Sequence, residues 1–134
     1  TSRFFLKTAL SGGEADYTFQ FGPRNAGWLP FAGDWDGDGK DSIGLYSPEN
    51  GIFHLKNSLK GGKSDYSIKY GPGNSDWLPV AGDWNGDCAD EIGLYNPTPS
   101  KFLLKTCLSG GEADIAFSYG PFNAGWLPCS GDWF

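Results

Sequence analysis

Several residue types that carry chemistry are scarce in this chain. Its 134 residues include no methionine, one histidine (His54) and three cysteines, Cys88, Cys107 and Cys129. The cysteines are odd in number and lack Cys-x-x-Cys spacing, so they indicate neither a zinc or redox motif nor a disulfide framework. We expect His54 to pack in a strand, and no Ser-His-Asp or Cys-His arrangement is indicated. The sequence therefore predicts a protein that is not an enzyme.

Basic residues and long apolar runs are also few. Lys and Arg total 10 against 16 Asp and Glu, which gives a net charge of -6. This balance disfavours electrostatic binding to nucleic acid or to an anionic membrane. No stretch approaches the roughly 18 apolar residues of a membrane span, and no basic and apolar leader opens the chain. We therefore expect neither a nucleic-acid nor a membrane partner.

Glycine and aromatic residues are plentiful. The chain has 21 glycines, and 16% of its residues are aromatic. This composition is typical of many short strands joined by tight turns and disfavours helices. The length fits one domain, residues 1–134, with enough apolar area for a core.

The chain is built from an internal repeat. Gly-Asp-Trp occurs at positions 33, 82 and 131, so the spacing is 49 residues both times. The repeats are residues 1–49, 50–98 and 99–134, and the third is truncated. Columns identical in all three include Phe4/Phe53/Phe102, Lys7/Lys56/Lys105, Trp28/Trp77/Trp126 and Pro30/Pro79/Pro128.

Side-chain alternation and turn residues predict four strands in each full repeat. In the first repeat, a strand from Phe4 to Leu10 leads through Gly12-Gly13 into a strand over 17–21 that alternates apolar and polar residues. A third strand spans Trp28 to Asp34, and a fourth spans Ile43 to Tyr46. The truncated repeat ends before its fourth strand, so we expect about eleven strands and an all-β fold.

An acidic loop joins the third and fourth strands of the first repeat. Carboxylates at loop positions one, three and five, a carbonyl at seven and an oxygen at nine suit a calcium ion. These positions are held by Asp34, Asp36, Asp38, the Lys40 carbonyl and Ser42. The sequence therefore predicts a calcium site here, although such a loop can also be a solvated turn in which Asp caps backbone amides.

The second repeat carries a variant of the same loop. Its candidate ligands are Asp83, Asn85, Asp87, the Ala89 carbonyl and Glu91. Cys88 replaces the glycine at position six, where a side chain costs strain of order 1 kcal/mol if φ is positive. We expect a weaker second site and no third, because the third repeat retains only Asp132 of the loop.

Trp28, Trp77 and Trp126 each precede Leu-Pro. Repeated aromatic residues most often pack in a repeated core, but an exposed tryptophan above an acidic rim also suits a sugar. These three residues are the candidate ligand-binding positions.

The segment Gly-Asp-Trp-Asp-Gly-Asp-Gly-Lys-Asp-Ser-Ile-Gly-Leu-Tyr-Ser-Pro at 33–48, with Phe-Gly-Pro at 21–23, resembles the FG-GAP repeat and the related bacterial VCBS repeat. The resemblance covers essentially the whole chain. It implies four-stranded β-propeller blades, calcium in the loop after the innermost strand, and an extracellular or cell-surface, lectin-like or adhesion module. The family usually has aspartate at loop position nine, where this chain has Ser42 and Glu91.

The sequence leaves two possible folds and three possible functions. Propeller-like blades are favoured by the loop spacing, whereas the size also fits a three-fold β-trefoil or β-prism. The favoured function is a non-catalytic calcium-binding module that presents a surface for a carbohydrate or protein ligand. The alternatives are a lectin and a structural propeller fragment that self-association, most simply as a homodimer, completes.

Overall fold

A computed structural model describes residues 2–132, and this part of the chain is all-β. It contains ten strands and no helix. The strands are β1 (Arg3–Leu6), β2 (Tyr17–Gln20), β3 (Leu29–Gly33), β4 (Ser42–Ser47), β5 (Ile52–Leu55), β6 (Tyr66–Lys69), β7 (Leu78–Gly82), β8 (Glu91–Asn96), β9 (Lys101–Leu104) and β10 (Ile115–Ser118).

The strands form three antiparallel sheets. The N-terminal sheet is β1-β2, the middle sheet is β3-β4-β5-β6, and the C-terminal sheet is β7-β8-β9-β10. Strands consecutive in sequence are neighbours in each sheet, so every connection is short. Each four-stranded sheet takes two strands from one repeat and two from the next. Over residues 2–132 no sheet closes into the barrel that a β-trefoil requires; the assembly of the sheets as propeller blades stays a prediction.

The predicted strands differ from the structure in two main respects. The eleventh strand, expected from Trp126 to Asp132, is absent from the described residues. Its equivalents β3 and β7 pair along their length with β4 and β8, and no strand pairing is found for residues 126–131 within the described part of the chain. The first predicted strand, Phe4 to Leu10, ends at Leu6.

Contacts of the lysine that follows this strand hold the next residues in a loop in each repeat. In the second repeat, Lys56 Nζ donates to the Lys63 carbonyl at 2.9 Å and lies 3.8 Å from Asp65 Oδ2. Asp65 in turn accepts a bond from the Asn57 N–H at 2.8 Å. These bonds fold the chain after the strand into a compact loop. Lys7 and Lys105 make the equivalent contacts in their repeats.

Apolar side chains fill the spaces between neighbouring sheets. The cluster between the middle and C-terminal sheets comprises Trp35, Tyr46, Phe53, Leu55, Ile68, Tyr70, Ala81, Ile92 and Leu94. The cluster between the N-terminal and middle sheets comprises Phe21, Ile43 and Leu45, with Phe4, Leu6, Phe19, Trp28 and Leu59 packed against it. The two clusters use equivalent columns, because Leu45 and Leu94 are 49 residues apart, as are Phe21 and Tyr70.

Candidate metal loops and the surface around them

The two acidic loops lie side by side at one end of adjacent sheets. One follows β3 and the other follows β7, and these two strands lie next to each other. A Cβ built on Gly37 of the first loop would lie 3.4 Å from the Cys88 carbonyl oxygen of the second. The repeat therefore brings together two loops that are 49 residues apart in sequence.

The first aspartate of each loop organises the backbone around it. Asp34 Oδ1 accepts bonds from the N–H groups of Gly37 and Asp38 at 2.8 and 3.1 Å, and its Oδ2 accepts one from Gly39 at 2.7 Å. Asp83 accepts the equivalent three bonds from Gly86, Asp87 and Cys88 at 2.6, 3.1 and 2.9 Å. These N–H groups, chiefly that of Cys88, lower the pKa of Asp83.

The next two acidic positions close successive turns. Asp36 Oδ1 accepts from the Asp38 N–H at 3.3 Å, and Asp38 Oδ1 accepts from the Lys40 N–H at 2.9 Å. Asn85 and Asp87 make the same bonds, at 2.8 and 3.0 Å. Each side chain bonds the backbone two residues further on, which is an Asx turn. Both loops thus have the same local fold despite their sequence differences.

The carboxylates converge into two groups that could hold a metal ion. Ligand oxygens of Asp34, Asp36 and Asp38 lie within 4.8 Å of one another, as do those of Asp83, Asp87 and Glu91. Ser42 lies in β4, opposite Gly33 of β3. The structure therefore groups the three predicted aspartates in the first loop and places Glu91 with Asp83 and Asp87 in the second. Ser42 occupies the strand position in the first repeat that Glu91 holds in the second.

Asn85 has a different position from that expected of a ligand. Its Nδ2 donates to Asp87 Oδ2 at 3.0 Å and to Glu91 Oε1 at 2.9 Å. The amide nitrogen therefore lies between two carboxylates, where Asp36 of the first loop has an oxygen. A cation at this point would require the Asn85 amide to turn its oxygen inward.

Glu91 is a buried carboxylate at the start of β8. Its side chain is 3% exposed, and its Oε2 accepts a bond from the Trp84 N–H at 3.1 Å. Burial raises the pKa of Glu91, and the charges of Asp87, Asp83 and Asp90 raise it further. A divalent cation would offset this repulsion, because it neutralises the charge that burial disfavours.

Asp90 connects the two repeats, a role that the sequence does not reveal. Its Oδ2 accepts a bond from the Asp34 N–H at 2.9 Å, and its own N–H donates to the Asp34 carbonyl at 2.6 Å. Burial raises the pKa of Asp90, as do the charges of Asp41, Asp34 and Asp83. No local pattern marks this residue, because its partner lies 56 positions away.

A cavity of about 680 Å³ opens beside the loops. Repeat-equivalent residues from all three copies line it, including Asp34, Asp83 and Asp132. Asp41 and Asp90 also reach it, so its wall is strongly acidic. This arrangement favours cations over anions in the cavity.

The tryptophan of the Gly-Asp-Trp motif packs in the core. Trp35 is 3% exposed and its Nε1 donates to the Ile43 carbonyl at 3.3 Å. A Cβ on Gly33 would lie 2.6 Å from the Trp35 ring, so the close approach of this ring requires glycine. The same holds for Trp84 above Gly82. Trp133 lies outside the described residues.

The three candidate ligand-binding tryptophans differ in exposure. Trp28 packs against the smaller cluster and stacks on His54 with ring centroids 4.3 Å apart, while Trp77 packs against the larger cluster. Trp126 is 55% exposed. The equivalent tryptophans, Trp28 and Trp77, pack against clusters between two sheets. Residues 2–132 contain no sheet after the C-terminal one that could cover Trp126 in the same way. The half-buried packing predicted for His54 is confirmed by this stack, and burial lowers its pKa.

Comparison of the chain with protein-family models, with curated proteins and with solved structures found no match. Within the described residues, no helix is long and apolar enough to cross a membrane. Cys88, Cys107 and Cys129 are free and exposed.

Proposed function

We propose that this chain is a non-catalytic calcium-binding β-repeat module that presents a surface to a partner. The observation that carries the proposal is the convergence of carboxylate oxygens within 4.8 Å in both loops. Clustered carboxylates on a glycine-containing turn suit a hard cation with six to eight oxygen ligands. The FG-GAP and VCBS resemblance supports calcium and an extracellular or cell-surface location, where modules of this kind bind calcium with a Kd of roughly 0.1–1 mM.

Calcium binding is tested by titration with thermal unfolding as the readout. A ligand that binds only the folded state stabilises it by about 2.7 kcal/mol at a hundredfold excess over Kd. Two unequal sites are expected, with the Asp34 loop tighter because the Asn85 amide and the Cys88 backbone disfavour the second. An identical melting temperature in millimolar calcium and in chelator would contradict the proposal.

Asp36→Asn provides the matched variant. Asparagine retains the Oδ1 acceptor that bonds the Asp38 N–H, so the turn should keep its stability in chelator. It removes one charged ligand and makes the first loop resemble the second. We expect the tighter calcium affinity to fall about tenfold, a loss of about 1.4 kcal/mol. A fall in stability without calcium would instead indicate that Asp36 only braces the loop.

The partner surface is proposed on the C-terminal sheet. Phe117, Tyr119 and Trp126 are 45%, 73% and 55% exposed. The equivalents of Phe117 and Tyr119 in the second repeat, Ile68 and Tyr70, are 8% and 4% exposed, because the next sheet covers them. Aromatic residues whose equivalents are buried between sheets favour a protein partner over a sugar, and a carbohydrate ligand remains the alternative for Trp126.

Self-association is a second proposal, carried by the same exposed face. Within the chain, residues of the C-terminal sheet pack against Ile68 and Tyr70, the equivalents of Phe117 and Tyr119. A second copy of the chain carries the same kinds of residues. The simplest product is a homodimer near 29 kDa, twice the 14.5 kDa chain mass. Light scattering measures this directly, and Tyr119→Lys should shift the mass towards 14.5 kDa. A chain that is monomeric at micromolar concentration would contradict self-association and leave the calcium proposal intact.

A further inference from the structure

Asn85 and Gly86 of the second acidic loop form one of two Asn-Gly pairs in the chain, and Asn50-Gly51 is the other. In such a pair the glycine nitrogen can attack the asparagine side-chain carbonyl, because glycine has no Cβ to obstruct the approach. The attack forms a cyclic imide, a succinimide, and releases the side-chain nitrogen. The surroundings of each pair decide how readily this reaction occurs.

The side-chain carbonyl of the loop asparagine is already polarised. Asn85 Oδ1 accepts a bond from the Asp87 N–H at 2.8 Å. Negative charge develops on this oxygen when a nitrogen adds to Cγ, and a fixed backbone N–H at such a distance stabilises that charge. The Asp87 N–H therefore acts as a donor of the kind that forms an oxyanion hole.

The side-chain nitrogen that must leave faces two carboxylates. Asn85 Nδ2 lies 2.9 Å from Glu91 Oε1 and 3.0 Å from Asp87 Oδ2. It also donates to the Thr106 carbonyl at 3.1 Å. Once Cγ becomes tetrahedral the nitrogen is basic, and it takes up a proton from water before it departs. Nearby negative charge favours this protonated leaving group.

The glycine nitrogen of the loop has room to approach. Asn85 and Gly86 are both exposed. Among the described residues, no atom beyond the adjoining ones lies within 4 Å of a Cβ built on Gly86. The Gly86 N–H donates to Asp83 Oδ1 at 2.6 Å, and this bond opens when the nitrogen turns towards Cγ.

The other Asn-Gly pair is enclosed. Gly51 is buried, and a Cβ built on it would lie 2.6 Å from the Gly71 carbonyl oxygen and 2.9 Å from that of Pro72. Its N–H donates to the Ser47 carbonyl at 2.8 Å. Each glycine nitrogen thus has one hydrogen bond to break, and the difference between the pairs lies in the space around them.

We propose that Asn85 is a site of spontaneous deamidation, which gives the second loop the acidic residues of the first. The effect on calcium rests on the function proposed above, whereas the deamidation does not. The reactant besides the chain is water, with hydroxide as the base.

The reaction balances without an oxidant or a reductant. Hydroxide takes the Gly86 amide proton, the nitrogen bonds to Asn85 Cγ, and the Cγ–Nδ2 bond breaks. The departing nitrogen takes a proton from water, so ammonia is released and hydroxide is regenerated. Water then opens the succinimide. Breaking the new bond leaves aspartate, and breaking the original peptide bond leaves isoaspartate.

The first loop shows that aspartate fits this position. Asp36-Gly37 is the equivalent pair, and Asp36 Oδ1 accepts a bond from the Asp38 N–H as Asn85 Oδ1 does from its own neighbour. Gly37 and Gly86 have φ angles of 72° and 82°. The backbone therefore has the same turn with either side chain.

Deamidation should change how the second loop responds to a cation. It removes the Nδ2 donor that links two carboxylates, and it adds a carboxylate to the group of Asp83, Asp87 and Glu91. Without a cation these charges repel one another, so the loop should lose stability. With calcium the additional charged ligand should raise the affinity, because affinity depends on the charge of the ligand set.

Peptide mapping by mass spectrometry tests the modification, after incubation of the full chain in chelator at mildly alkaline pH. Asn50 is the control within the same molecule. In the folded chain we expect Asn85 to react about tenfold or more faster than Asn50. In denaturant the two rates should become similar, because the surroundings that distinguish the pairs are then lost.

Two variants test the effect on the loop. Asn85→Asp reproduces the product and should raise the weaker of the two calcium affinities about tenfold. It should also melt at a lower temperature than the wild type in chelator. Asn50→Asp makes the same change of charge outside the acidic loops and should leave the calcium affinities unchanged. Circular dichroism checks that both variants are folded.

Equal rates at Asn85 and Asn50 in the folded chain, or a slower rate at Asn85, would overturn the inference even if both loops bind calcium. If the wild type binds calcium and Asn85→Asp binds it no more tightly than Asn50→Asp, the regulatory part is wrong. If no form of the chain binds calcium, the proposed function fails, and faster reaction of Asn85 in chelator would still support the deamidation site.

Discussion

Gly39 and Cys88 occupy the same position in the two acidic loops and allow a reciprocal test of backbone strain. Their φ angles are 84° and 75°, both in the left-handed region that disfavours side chains. No atom lies within 4 Å of a Cβ built on Gly39. A side chain at this position therefore meets no steric obstacle beyond its own backbone, and any cost comes from φ.

The magnitude follows from two opposing effects. A non-glycine residue in the left-handed region costs about 1–2 kcal/mol. Replacing glycine by another residue also lowers the conformational entropy of the unfolded chain, which stabilises the folded state by about 0.4–1 kcal/mol. Gly39→Cys should therefore destabilise the chain by roughly 1 kcal/mol, and Cys88→Gly should stabilise it by up to about the same amount. For a chain of this size, 1 kcal/mol corresponds to roughly 3–5 °C in melting temperature.

The assay is thermal unfolding followed by circular dichroism, in chelator and reducing agent, so that neither metal nor thiol chemistry contributes. Cys88→Ala is the control, because it keeps the Cβ and removes only the thiol, and it should leave the melting temperature unchanged. Shifts of the same sign for Gly39→Cys and Cys88→Gly would refute the strain argument. So would a gain for Cys88→Ala as large as that for Cys88→Gly.

Two further predictions concern packing and pH. Trp77→Ala should destabilise the chain by about 3 kcal/mol in denaturant unfolding, because Trp77 packs against the larger cluster, whereas Trp126→Ala should cost much less; equal losses would contradict the packing role. Burial raises the pKa of Tyr70 to about 12, with a contribution from the charge of Asp114, so the folded state keeps its proton where the unfolded state loses it, and stability should fall between about pH 10 and 12. Tyr70→Phe should reduce this fall without loss at neutral pH, since the hydroxyl is buried without a hydrogen-bond partner in the described part of the chain. Part of the fall should remain, because burial also raises the pKa of Tyr46. An unchanged alkaline profile would contradict the prediction.

Local features of the chain could be predicted from the sequence because they depend on nearby residues. Alternation identified the strand that ends each sheet, Gly12-Gly13 marked the hairpin turn, and the spacing of Asp34, Asp36 and Asp38 indicated that their oxygens converge. The spacing could not show that Glu91 is buried beside Asp83 and Asp87, since that depends on how β8 packs. Nor could it show that the Asn85 amide lies between Asp87 and Glu91.

The sequence by itself determined the all-β class, the 49-residue repeat and the two acidic loops, because side-chain alternation, turn residues and ligand spacing act within a few residues. Only the tertiary structure decided which equivalent residues are buried. Trp77 and Trp126 follow the same local pattern, yet Trp77 packs against the larger cluster and Trp126 is exposed. It also revealed the Asp90 contact with Asp34. These features depend on contacts between sheets, and equivalent residues of similar repeats have different neighbours in the folded chain.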